Sequence, residues 1–109
     1  FTKEIGAIPI FISQKSFRWY QLNQKIYGIE NNNVLEDENF ESYYNKEKKI
    51  DQVLQTFTKK NDIYFISGFN EFSFEESFFY DFIHTTTKGS EYISETIYPI
   101  LKKIYFENF

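Results

Sequence analysis

A chain of 109 residues suffices for one small domain and is too short for two. It holds no cysteine, which excludes disulfides, thiolate zinc sites and a cysteine nucleophile and leaves the redox compartment open. The formal charge of −4, with twelve Lys and Arg scattered among sixteen acids, argues against a nucleic-acid partner, and no apolar run is long enough to span a bilayer.

Fourteen Phe, nine Tyr and one Trp give ample apolar material for a packed core. There is no Met, so Phe1 is not a translation start, and the chain is expected to be a processed product or a piece of a longer one. Phe1 to Ile5 reads as the last turn of a helix, with Gly6 in the left-handed position that closes it. Ala7 to Ser13 is a continuous apolar run, the pattern of a parallel strand covered on both faces, with Pro9 near its start where a missing donor is tolerated.

Residues 14–39 are long and polar, with Gly28 and the triple Asn31, Asn32 and Asn33, and are expected to form a loop with a short helical turn around Trp19 to Leu22. Phe40 to Lys60 is an amphipathic helix: Tyr43, Tyr44, Ile50, Val53, Leu54 and Phe57 recur at helical spacing, with lysines opposite. Ile63 to Ser67 is a second strand, closed by Gly68. An aromatic stretch interrupted by acids follows, with a short helix near Phe74 to Phe79. From about Thr87 to Tyr105 a last helix carries a stripe of Ile93, Ile97, Ile100, Leu101 and Ile104, with Thr86 as its N-cap and Pro99 as a kink.

The order β-α-β-α is the repeating unit of an open parallel α/β sheet. Two parallel strands do not make an independently stable sheet. The missing strands are therefore expected in an absent N-terminal part of one domain that spans all of residues 1–109.

Active sites of such sheets gather in loops beyond the carboxyl ends of strands. The loop after the second strand holds the only histidine, His84, three residues after Asp81. On a tight turn that spacing lets the carboxylate reach the imidazole Nδ1, fix its tautomer and leave Nε2 free to take a proton from a serine hydroxyl. The plain alternative is a histidine that packs at the start of a helix beside an Asx-turn aspartate. After the first strand, Arg18, Trp19 and Tyr20 could line a substrate cleft, the ring stacking on a sugar and the guanidinium holding a carboxylate. Trp19 covering the sheet edge is the simpler reading. The aromatic cluster of Phe69, Phe72, Phe74, Phe78, Phe79 and Tyr80 reads as packing. Glu71, Glu75 and Glu76 read as a solvated face without the convergent spacing of a metal site.

The stretch from Tyr80 to Glu95, with Asp81, His84, the capping Thr86, Gly89 and then Ile93-Ser94-Glu95, resembles the C-terminal block of the SGNH, or GDSL-like, hydrolases. Ala7 to Gln14 resembles that family's penultimate sheet strand, and Ile50 to Ser67 the helix and strand before its catalytic loop. Thr85 stands where the family usually has proline. The resemblance implies a three-layer α/β/α, flavodoxin-like parallel sheet, of which this chain is the C-terminal β-α-β-α portion, and a serine esterase acting on a small ester or an acylated glycan or lipid. By matching, His84 is the base and Asp81 the orienting acid, with no cofactor and no metal. The nucleophile block and the oxyanion-hole Gly and Asn have no match. Ser13, Ser16, Ser67, Ser73, Ser77, Ser90 and Ser94 lie in other contexts, so the chain alone is expected to be inactive. The competing expectation is a non-catalytic α/β module that binds a protein or glycan partner through residues 14–39.

Overall fold

The computed structural model describes residues 3–30, 33–35, 38–81 and 83–109; for 28–30, 33–35 and 38–41 it describes the backbone alone. The expectations at Phe1, Thr2, Asn31 and Asn32 lie outside the described residues. Apolar periodicity places the main elements where it should. Strand β1, Ile10–Ile12, pairs in parallel with a strand at Tyr64–Ile66, and helix α1, Glu38–Lys60, makes the crossover between them. A parallel pair needs such a connection, because a tight turn can only reverse the chain. The register sets Phe11 opposite Phe65. Lys3 to Gly6 form a turn in which the Gly6 amide donates to the Lys3 carbonyl, and Gly6 has φ of 80°, the left-handed conformation expected of it.

The segment 14–39 departs from expectation. It contains β2, Trp19–Leu22; β3, Lys25–Glu30; and β4, Asn33–Leu35, an antiparallel meander that packs on α1. The helical turn expected at Trp19 is a strand. Asn23 and Gln24 join β2 to β3, both with positive φ (50° and 67°). That pair of conformations matches the right-handed twist of a two-residue hairpin. An Asn-Gln turn lacks the Asn-Gly signature, so the aromatic and β-branched residues on either side of it, Trp19 and Tyr20 before and Ile26, Tyr27 and Ile29 after, were the signal to read.

The Tyr64–Ile66 strand is β5. After it come a one-turn helix α2, Gly68–Glu71, which the sequence did not announce, and a 3-10 turn at Glu76–Phe78 in place of the expected short helix. Helix α3, Thr87–Asn108, starts at the expected cap: the Thr86 Oγ1 accepts from the Gly89 amide at 3.2 Å. It is continuous through Pro99, since proline removes one internal bond and the neighbouring turns retain theirs. The result is a small mixed α/β structure with helices against a two-strand parallel sheet. No described helix is long and apolar enough to cross a membrane.

The carboxyl ends of the two parallel strands meet at one buried carboxylate. Asp51 of α1, only 4 % exposed, accepts hydrogen bonds at the same Oδ1 from the Ser13 hydroxyl and, at 2.7 Å, from the Ser67 hydroxyl. Ser67 in turn caps α2, accepting from the Asn70 amide at 3.1 Å. The backbones close in just as tightly: a Cβ on Gly68 would lie 2.0 Å from the Ser13 carbonyl oxygen, so that position admits glycine alone. Removing the carboxylate in Asp51→Ala leaves a buried serine hydroxyl without its acceptor, and such losses cost about 3 kcal/mol. Asp51→Asn keeps an acceptor and loses less. Urea denaturation of the two variants is expected to show that order, and equal stability would contradict it.

Candidate active site

The loop leaving β5 is anchored before it reaches Asp81. Phe72 and Phe78 are buried, and Phe78 stacks on Tyr92 of α3 at 4.7 Å. The first turn of α3 presses against the same place. A Cβ on Gly89 would lie 2.1 Å from the Phe78 carbonyl oxygen, and the Thr86 hydroxyl donates to the Ser77 carbonyl at 2.8 Å. From this base the chain rises and returns as a narrow loop. Phe79 and Thr85 form an antiparallel bridge, the Thr86 amide donates to the Phe78 carbonyl, and the Tyr80 amide donates to the His84 carbonyl at 2.9 Å.

Asp81 and His84 sit at its tip. The Asp81 Oδ1 accepts from the amides of Ile83 and His84, each at 2.7 Å, which is the turn that aspartate builds with its own backbone. The other oxygen, Oδ2, lies 2.6 Å from the His84 Nδ1. The His84 amide, followed by its imidazole and the Ile83 amide, holds the Asp81 carboxyl down at about 2, below its ordinary 3.8. The group is therefore a carboxylate at neutral pH and can only accept, so the proton in the short contact resides on Nδ1. The His84 Nε2 has no hydrogen-bond partner among the described residues. The His84 and Asp81 side chains are 76 % and 54 % exposed, so the pair faces open space. No serine hydroxyl among the described residues bonds to it.

The stretch after β1 reaches the same end of the sheet, where Phe17 stacks on Phe79 at 5.3 Å. The three residues beyond it have different surroundings. Trp19 is 4 % exposed; its indole N–H donates to Glu47 at 2.6 Å and its ring packs against Tyr44 and Phe69. That is a core position, with no face left open for a sugar. Arg18 lays its guanidinium over the Tyr43 ring at 4.7 Å, and Tyr20 stacks on Tyr27 across the hairpin at 5.3 Å. In the aromatic cluster Phe72 and Phe78 are core, whereas Tyr80 is exposed. Phe82 lies outside the described residues.

Sequence reasoning missed Glu47, Lys15, Asp51 and the two serines. Glu47 accepts from both the Ser16 amide and the Trp19 indole. The half-buried Lys15 donates to the Phe72 carbonyl at 2.7 Å and lies over the Trp19 ring; burial lowers its pKa and Glu47 opposes the shift. An acid on the inner side of a helix, at the position of an apolar residue, was the available signal for Glu47 and Asp51.

No protein-family model matches the chain, and neither the curated proteins nor the solved structures yield a match.

Because the folded-state value of Asp81 lies below its unfolded one, this group contributes stability above the ordinary carboxylate range and loses it as pH falls from 3.8 through about 2. A carbon-13 NMR titration is expected to place the Asp81 midpoint near 2. His84→Ala should raise that midpoint only in part, because both amides remain. A midpoint in the wild type at the ordinary carboxylate value would refute the arrangement.

Proposed function

We propose that the chain is the C-terminal part of a serine ester hydrolase of the SGNH type, with a three-layer α/β/α sheet, and that Asp81 and His84 are the acid and base of its Ser-His-Asp triad. The observation that carries this reading is the 2.6 Å contact between Asp81 Oδ2 and His84 Nδ1, with the carboxylate pinned by two amides. The resemblance of residues 80–95 to the family's C-terminal block supports it. The serine and the oxyanion donors come from a part of the domain outside these residues.

The chemistry follows from the proton inventory. Nε2 of His84 takes the hydroxyl proton as the serine Oγ bonds to the ester carbonyl carbon. Asp81 stabilises the imidazolium so formed and keeps the ring in the orientation that Nδ1 fixes; it does not itself take the proton. The tetrahedral intermediate collapses as His84 returns the proton to the departing alcohol, leaving an acyl-serine. Water then repeats the sequence, with His84 again as base, and releases the acid. The substrate class is a small ester, or an acetyl or acyl group on a carbohydrate or lipid.

In the whole polypeptide that its gene encodes, hydrolysis of p-nitrophenyl acetate is expected to fall by roughly three orders of magnitude in His84→Ala and nearly as far in Asp81→Asn. KM should change little, since both groups act on the transition state. Near-normal turnover in a folded His84→Ala enzyme would remove the proposal.

A further inference from the structure

Helix α3 is anchored by one side. Ile93, Ile97, Ile100, Leu101 and Ile104 are all half-buried or buried. On the opposite side Glu91, Glu95, Tyr98, Lys102, Tyr105 and Phe109 recur every three or four residues, so they form one line along the outside of the helix. All six are exposed, and Phe106 lies beside the line. Tyr98, Tyr105, Phe106 and Phe109 are between 56 % and 79 % exposed. The Tyr105 ring stacks on Phe109 with centres 5.1 Å apart and meets Phe106 edge-on at 5.5 Å, which joins three of the rings into a continuous patch. Single exposed hydrophobics are ordinary; a contiguous patch of rings is not.

Charge is ordered along the same line. The first half of α3 carries Glu91 and Glu95, the second half Lys102. The two acids sit four residues apart on one face, where like charges repel. None of the three charges has an ion-pair partner among the described residues. A second α3 laid parallel on this face would set acid against acid and lysine against lysine. Laid antiparallel, with the centre of the contact between residues 98 and 99, it sets Glu95 of each copy opposite Lys102 of the other. The same register brings the two Tyr98 rings together at the centre and lays the ring patch of each copy over the first turns of the opposing helix. A lipid surface would accept the rings and Lys102, but an anionic one would repel both acids.

We infer that the outer face of α3 is a self-association surface, on which two copies of this chain pair antiparallel about a two-fold axis, Glu95 of each against Lys102 of the other. A two-fold contact must be self-complementary, and a line that runs from acid through aromatic to base meets that requirement with itself. The extent is sufficient as well. Four rings from each copy, every one more than half exposed, offer on the order of 1,000 Å², about the size at which specific interfaces begin. This surface lies on the side of α3 turned away from the sheet, and its assignment does not depend on the hydrolase reading.

Charge reversal tests this by sedimentation equilibrium on the whole polypeptide that its gene encodes. The wild type is expected to dimerise. Glu95→Lys and Lys102→Glu should each weaken the dimer by roughly tenfold or more, because symmetry turns one substitution into two like-charge contacts. Both side chains are exposed, so neither change disturbs the packed side of α3. An equimolar mixture of the two variants is expected to recover dimerisation near the wild-type strength, since each then meets the opposite charge on the other. A wild type that stays monomeric at about 100 μM overturns the inference, whether or not it binds phosphatidylcholine vesicles. So does a dimer indifferent to both reversals, or a mixture that associates no better than either variant alone.

Discussion

Burying a carboxylate is costly unless its oxygens are occupied by donors, and the structure turns that cost into a constraint. Asp51 is sealed beneath α1, and the hydroxyls that satisfy it come from Ser13 and Ser67, the residues immediately beyond β1 and β5. One oxygen atom therefore ties the crossover helix to the carboxyl ends of both strands. The Ser13 amide, bonded to the Ile66 carbonyl, and the close approach at Gly68 leave no slack in that corner. Everything that leaves the sheet toward the candidate site starts from it.

From the corner outward, order passes along packing and then along backbone hydrogen bonds. Aromatic contacts hold the middle of the loop, with Phe72 and Phe74 against each other and both against Tyr92, and Phe74 also against Phe79. Glycine at position 89 lets the start of α3 lie directly on Phe78. Only the last few residues rise clear, and there the backbone takes over. Asp81 uses one oxygen for its own turn and the other for the imidazole, so the same amides that shape the loop also set the charge state of the acid. The pair is held by these hydrogen bonds while largely exposed, so no enclosing pocket is needed to orient the imidazole.

The exposed apolar row on α1, formed by Ile50, Val53 and Phe57, and strand β1 belong together. Each alone would be unremarked, since single surface hydrophobics are ordinary. Joined by the Phe11–Phe57 stack, they form one apolar surface along β1, whose Phe11 and Ile12 are more exposed than the residues of β5.

Local chemistry was sufficient for the two long helices, the parallel strands, the Thr86 cap and the Asp81–His84 contact. Each depends on periodicity or on residues three or four apart, and those spacings place side chains on one face or in one turn whatever surrounds them. The meander hid in the polar run 14–39 because Asn23 and Gln24 make its first turn without the usual glycine. Trp19 could be read as lining a cleft or as covering the sheet edge, and its place in the core depended on Glu47, 28 positions along the chain. The role of Asp51 needed serines 38 residues before it and 16 after. Such partners are chosen by distance in space, which leaves no period in a sequence; the fold had to bring them together before the charge on α1 could be told from solvent decoration.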